Sequence, residues 1–279
     1  MMNKRYYKIA GLTFSVDCNN DYDFGAADYF FIGNSSDTED FSYKITDCKF
    51  KDNGELVHRN DIFSVYKNDN LIIRKFSNVN GDFSLVRKAD NPFSAVLYGN
   101  RTDISNQQGK LIASYLALEV PLMHKGAYIL HSSVVELNGQ AVVFSGASGK
   151  GKSTQAELWQ KHKNAEIING DRSIIRNNKT VHAYGSVFAG SSQIYKNKNA
   201  TIRAIVFLEK GETNSLKLLS PTEGFKMIYS QSLNNTWDKE YVKRLLEEIQ
   251  KTVSAVPVYK YSCTKDKEAV DYLYNELFR

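Results

Sequence analysis

Along the first hundred residues the apolar positions come in short runs rich in aromatic and β-branched side chains: Ile9–Val16, Tyr29–Ile32, Ile62–Tyr66, Leu71–Phe76, Phe83–Val86 and Phe93–Tyr98. Asn, Asp and Gly separate most of them, and Lys67-Asn68-Asp69-Asn70 has the composition of a hairpin turn. This pattern predicts a small antiparallel layer. From Asn106 to Val120 the spacing changes to Leu111, Ile112, Tyr115, Leu116 and Leu118, which predicts a helix closed by Pro121. From Ala127 onward, strand and helix patterns alternate. Ala127–Val135 and Gln140–Phe144 flank an Asn138-Gly139 turn, a helix follows from Lys152 to about His162, and Ala165–Ile168 is a further strand. Residues Ile174–Arg176 and Val181–Tyr184 read as a hairpin. The fully apolar Ala204–Leu208 reads as a central strand, and Pro221–Gln231, Lys239–Thr252 and Asp266–Phe278 as helices. The expected fold class is therefore α/β (α+β), with a β-rich N-terminal domain at 1–100, a linking helix at 101–126 and an α/β domain at 127–279.

Composition narrows the function classes. A net charge of +5 without an arginine-rich run reads as a Lys-rich solvated surface and gives no reason to expect nucleic acid as a partner. Cys18, Cys48 and Cys263 are odd in number and far apart, which suits neither a zinc site nor a disulfide framework. The Met1–Lys8 start does not read as a signal peptide, and the Leu111–Met123 run is short and carries Glu119, so neither secretion nor a membrane is expected and the cytoplasm is. The Asp17–Asp23 cluster lacks EF-hand spacing and reads as turn chemistry.

One motif carries chemistry. Residues 146–153 read Gly-Ala-Ser-Gly-Lys-Gly-Lys-Ser, the G-x-x-x-x-G-K-S/T pattern of a phosphate-binding loop, with an apolar strand before it and a helix after it. Gly146, Gly149 and Gly151 let the backbone turn its N–H groups toward phosphate oxygens. The following helix points its positive end at the same place. Lys152 reaches the β- and γ-phosphates, and the Ser153 hydroxyl can ligate Mg²⁺. The nucleotide-binding set is then Gly146, Ala147, Ser148, Gly149, Lys150, Gly151, Lys152, Ser153 and Thr154, with ATP and Mg²⁺ as the expected cofactors. Asp171, just past an apolar strand, reads either as a metal ligand or base toward an acceptor hydroxyl, or as a polar turn. His131 reads either as a functional imidazole or as a structural hydrogen-bonder. Tyr184–Ser192, with Lys196 and Lys198, reads either as an anion-facing loop or as plain surface. Arg172 and Arg203 are candidates for charge stabilisation or for structural ion pairs.

Taken together, His131-Ser132-Ser133, Gly146–Ser153 and Asn169-Gly170-Asp171-Arg172 resemble the catalytic domain of HPr kinase/phosphorylase, within the phosphoenolpyruvate-carboxykinase-like branch of P-loop proteins. The pattern looks closest to the HPr-kinase-like proteins found beside modified-peptide gene clusters. The resemblance implies a P-loop mixed-sheet kinase domain of the HPr kinase C-terminal type, ATP–Mg²⁺ as donor and a peptide or protein serine as acceptor. It also implies a homo-oligomer. Within it Lys152 holds phosphates, Ser153 binds metal, Asp171 takes the serine proton and His131 belongs to the active site. The chain departs from the family where Gly170 replaces the first Asp of an Asp-Asp pair, and Val181–Ser186 offers no second metal-binding acid. Two other functions stay open: a nucleotide-responsive binding module that recognises a peptide without phosphorylating it, and a kinase of a small hydroxyl compound such as free serine.

Overall fold

The computed structural model describes residues 3–18, 25–52, 54–76, 83–99 and 115–279. The chain divides into two compact units, Met1–His124 and Lys125–Arg279, both mixing strands and helix. The first unit contains β1 (Asn3–Ile9), β2 (Leu12–Cys18), β3 (Phe31–Gly33), β4 (Phe41–Thr46), β5 (Glu55–Arg59), β6 (Phe63–Lys67), β7 (Leu71–Phe76), β8 (Ser84–Lys88) and β9 (Ser94–Tyr98). They form one sheet in the order β3-β1-β2-β4-β9-β8-β7-β6-β5. The small antiparallel layer expected from sequence is larger, and it is mixed, because β4 pairs in parallel with both β2 and β9.

Two local expectations also change. Ile9–Val16, which reads as one strand, folds as a hairpin. Ala10 and Gly11 take φ of 52° and 74°, the two positive dihedrals of a tight turn, and Ile9 pairs with Leu12. The predicted helix over 106–120 lies outside the described residues as far as 114. Beyond that, α1 (Glu119–His124) begins where the pattern is expected to end. Pro121 sits inside its first turn, where a backbone N–H has no helical partner to lose. Glu119 is buried there and accepts a 2.8 Å bond from the buried Arg74 guanidinium. The Asp17–Asp23 cluster falls outside the described residues from 19 onward.

The second unit contains β10 (Ala127–Leu137), β11 (Gln140–Ser145), α2 (Lys152–Lys163), β12 (Glu166–Asn169), β13 (Arg172–Asn178), β14 (Thr180–Tyr184), β15 (Asn199–Lys210), β16 (Ser215–Leu218), α3 (Pro221–Gln231), α4 (Lys239–Ala255), β17 (Val258–Cys263) and α5 (Lys267–Phe278). The sheet order is β11-β10-β13-β14-β15-β17-β16. Because β11 also pairs with β15, five strands (β10, β11, β15, β14 and β13) form a closed circuit. The apolar β15 is central, as its sequence suggests, with β11 and β17 parallel on either side. Helices α3, α4 and α5 each start on a side-chain cap, Ser220 in a capping box with Glu223, Asp238, and Asp266, whereas α2 starts on Gly151 with no side-chain cap. Among the described residues, no helix is long and apolar enough to cross a membrane.

The core that holds α2 in place gathers Val142, Phe144, Val206 and Leu208 from the strands and Leu273 from α5 around the fully buried Trp159. Trp159 meets Phe144 edge-on, with centroids 5.9 Å apart, and lies against Tyr274 and Phe278. Its indole Nε1 is buried with no hydrogen-bond partner among the described residues. Trp159→Ala is expected to destabilise the protein by about 3–5 kcal/mol through loss of burial and the cavity left behind. Trp159→Phe should recover part of that loss, since no unpaired N–H is then desolvated. Urea unfolding of the two variants against the parent chain measures both effects.

Candidate active site

Three segments of the second unit converge. β11 runs into the glycine loop through Ser145, whose hydroxyl donates to the His131 carbonyl at 2.9 Å. The loop's three glycines take φ of 138°, 77° and 99°, all in the left-handed half of backbone space where a β-carbon is disfavoured. A β-carbon at Gly149 or Gly151 would meet no atom within 4 Å, so the loop is open at these two positions. Lys152, the first residue of α2, is buried and folds back over the loop. Its Nζ donates to the Gly146 carbonyl at 2.9 Å and the Ala147 carbonyl at 3.3 Å. Burial lowers its pKa, and the Asp171 carboxylate opposes that shift.

Asp171 reaches the loop because a strand is interrupted. β12 and β13 both pair antiparallel with β10, β12 along Val134–Glu136 and β13 along Ala127–His131, and between them Gly170 and Asp171 leave the ladder. The fully buried Asn169 fixes this break. Its Oδ1 accepts from the N–H groups of Asp171 (3.0 Å) and Arg172 (2.9 Å), and its Nδ2 donates to the Phe188 carbonyl at 3.1 Å. Ser186, also fully buried, donates to the Arg172 carbonyl and so ties the 186–190 segment to the same turn. The Ser132 N–H and the Ser133 hydroxyl donate to the carbonyls of Asp171 and Gly170 at 2.8 and 2.9 Å. The Asp171 carboxylate then lies with Oδ1 3.5 Å from His131 Nε2 and Oδ2 3.7 Å from Arg172 Nε. Hydrogen bonding to His131 lowers its pKa against the opposing effect of burial, and Arg172 and Lys152 lower it further, so the group is ionised at neutral pH.

The result is a cavity of about 300 Å³ lined by His131, Ser148, Gly149, Gly151, Lys152, Ser153, Thr154, Gly170, Asp171 and Lys265. Of the residues singled out in sequence, Ser148, Gly149, Gly151, Lys152, Ser153, Thr154, Asp171 and His131 thus share one space, whereas Gly146, Ala147 and Lys150 do not line it. Arg172 stands beside Asp171. Arg203 does not: its Nε donates to the Leu277 carbonyl at the end of α5, 2.7 Å away. Lys196 and Lys198 both pair with Glu166, at 2.8 and 2.7 Å, and hold its pKa down. Within the 184–192 segment it is Gly190 that approaches the site. Lys265, on the turn between β17 and α5, is not singled out in sequence, and Asn169 and Ser186 stand there only inside longer segments with no role of their own. Lys265 had one available signal, the strand-to-helix position it shares with the glycine loop.

This arrangement can hold a polyphosphate against Lys152, Lys265 and the loop amides, and it presents an ionised carboxylate to whatever binds beside it. Ser153 and Asp171 supply two oxygen donors for a divalent ion. Among the described residues no group of three or more His, Cys, Asp or Glu is gathered to cage one, so phosphate oxygens and water would complete its shell.

Gly190 provides a test of how tightly this turn is packed. Its φ is 52°, and a β-carbon would sit 2.8 Å from Asp171 Cγ, whereas Gly149, at φ 77°, faces open space. Alanine is strained at both positions, so the difference between them isolates the Asp171 contact. Gly190→Ala is expected to destabilise by about 1–3 kcal/mol more than Gly149→Ala, as read from urea midpoints. In comparisons with known proteins, no protein-family model matches the chain and no curated protein matches it.

Proposed function

We propose that the protein is an ATP–Mg²⁺-dependent kinase that transfers the γ-phosphoryl group to a serine hydroxyl of a peptide or protein, as an HPr-kinase-like P-loop enzyme working in the cytoplasm. One observation carries the reading: the glycine loop with Lys152 and Ser153 shares a single cavity with the ionised Asp171 and with His131. The loop amides and the N-terminus of α2 cradle the phosphates, and Lys152 exchanges its contacts with the Gly146 and Ala147 carbonyls for phosphate oxygens. Ser153 and Asp171 would hold Mg²⁺, which when bound would supply neutralisation of phosphate charge. Asp171 orients the acceptor hydroxyl and takes its proton, and His131 keeps one carboxylate oxygen in place.

A second reading, a nucleotide-responsive module that binds a peptide without modifying it, is favoured by the ground around Gly170. A β-carbon there would lie 2.1 Å from Ser192 Oγ, so the carboxylate that the related pattern carries at this position has no room. Mass spectrometry of serine-bearing peptides incubated with ATP–Mg²⁺ separates the two readings, because only the kinase adds phosphate mass.

Lys152→Ala is expected to weaken nucleotide binding at least about tenfold, since it removes the buried cation. Asp171→Asn should bind nucleotide within a few-fold of the parent yet lose about 10²–10⁴-fold in transfer rate. Fluorescent-nucleotide titration and single-turnover transfer give the two numbers. Transfer by Asp171→Asn at the parent rate would remove the base from this scheme.

A further inference from the structure

Beside the loop cavity lies a second one, of about 230 Å³, lined by Ile129, His131, Arg172 and the run Ser230, Gln231, Ser232 and Leu233. His131 is the one residue that lines both. The second cavity is rigidly built. Ile129 and His131 lie on the same side of β10, and Arg172 is the cross-strand partner of His131. The chain leaving α3 is laid against the other edge of β10: Ser232 bridges Leu130, and the Leu233 N–H donates to the Ile129 carbonyl at 2.9 Å. Tyr241 from α4 holds the Leu233 carbonyl at 3.1 Å.

The chemistry of this space differs from that of the loop. Its floor is apolar, from Ile129 and Leu233. The hydroxyls of Ser230 and Ser232 are spent on the last-turn carbonyls of Met227 and Ile228, each at 2.8 Å. That leaves three polar groups facing a ligand: the His131 imidazole, which stands 3.5 Å from Asp171, the Gln231 carboxamide, whose Nε2 also donates to the Ser230 carbonyl at 3.1 Å and hydroxyl at 3.3 Å, and the half-exposed Arg172 guanidinium, whose carboxylate neighbour stands at 3.7 Å. A planar guanidinium that is not closed into a bidentate pair is a carboxylate receptor. There is no cradle of glycine N–H groups for phosphate.

We propose that this cavity is the acceptor subsite, and that it selects a serine whose hydroxyl lies within one residue of a carboxylate. The proposal rests on the kinase reading above. In-line phosphoryl transfer brings donor and acceptor together from different spaces. Two cavities that meet at one imidazole supply that geometry. A hydroxyl entering past His131 reaches the Asp171 carboxylate, 3.5 Å from the imidazole. Its proton passes to Asp171, the serine oxygen forms the new bond to the γ-phosphorus, and the bond from that phosphorus to the β–γ bridging oxygen breaks. ADP leaves with that electron pair. Arg172 holds the nearby carboxylate, and Gln231 meets the peptide backbone. The carboxylate can be an acidic neighbour or the chain terminus, and the test distinguishes them.

The test uses the full chain with ADP–Mg²⁺ and three probes: acetyl-Gly-Ser-Asp-amide, acetyl-Gly-Ser with a free C-terminal carboxylate, and acetyl-Gly-Ser-Lys-amide. Binding is read by saturation-transfer NMR and ADP affinity by fluorescent-nucleotide competition. At least one carboxylate probe is expected to bind about tenfold or more tighter than the lysine probe, and the better of the two identifies the source. Arg172→Ala should abolish the preference. Gln231→Trp, at an open helix end, should fill the cavity and lose the probes while ADP affinity stays within about twofold. Equal binding of all three probes, or binding of none, overturns the proposal. So does a large fall in ADP affinity in Gln231→Trp, which would make the cavity part of the nucleotide site. If the parent chain does not bind ADP at all, the kinase reading fails and this one with it. ADP binding without probe selectivity defeats the acceptor subsite alone.

Discussion

The buried carboxamide of Asn169 uses both its ends: it accepts the N–H groups of Asp171 and Arg172 and donates across to the carbonyl of Phe188. With these two consecutive backbone N–H groups committed to a side chain, Gly170 and Asp171 drop out of the pairing with β10, which resumes at Arg172 opposite His131. That break lifts Asp171 out of the sheet and turns it toward the glycine loop. The loop itself is registered to the same place, because Ser145 at its entrance bonds the carbonyl of His131. The carboxylate, the imidazole and the loop are thus set by one backbone irregularity and the hydrogen bonds that satisfy it, with Ser186 closing the turn from behind.

The electrostatics follow from that placement. A buried ammonium is costly unless it is compensated, and Lys152 has two loop carbonyls and the charge of Asp171 to compensate it. Each charge makes the other easier to keep: Lys152 is among the groups that lower the Asp171 pKa, and Asp171 is the one that resists the fall in the Lys152 pKa. In the proposed reaction this matters twice. Incoming phosphates replace weak carbonyl acceptors with charged ones, and the carboxylate stays ionised and ready to receive a proton.

The parts of this site that sequence could show are those whose chemistry is written in residue identity at fixed spacing. Three glycines followed by Lys and Ser state a backbone shape and a charge together, and the Asn138-Gly139 turn is legible for the same reason, with both residues at positive φ. Asn169 was not legible. At the end of an apolar strand an asparagine reads as turn punctuation, and only the tertiary partners Phe188 and Ser186 give its carboxamide a task. Lys265 is legible only as a strand-to-helix position, because its approach to the loop depends on β17 pairing with β15, a contact between distant segments. The same non-locality explains the first unit. Hairpin runs are readable from alternation, but the parallel insertion of β4 between β2 and β9 has no local signature. Pro121 misled for a different reason: it marks the end of a helix and the first turn of one equally well.

Gly170 is where the resemblance and the structure bear on each other. The related sequence pattern carries a carboxylate at this position, and here the space a β-carbon would need is occupied by the Ser192 side chain, itself bonded to the Ala189 carbonyl at 2.6 Å. The short turn from Gly190 to Ser192 therefore closes on both residues of the break: the Ser192 side chain fills the space beside Gly170, and the Asp171 side chain occupies the space that a β-carbon at position 190 would need. A second carboxylate could enter only if that turn moved away. The single carboxylate is thus tied to the way the turn packs rather than to one isolated replacement. For the proposed forward transfer one base suffices, since the proton leaves one hydroxyl and the charge of the phosphoryl group is met by Lys152, the metal and the loop amides. A site built this way is committed to a single proton acceptor, and the Asn169 hydrogen bonds fix where that acceptor stands.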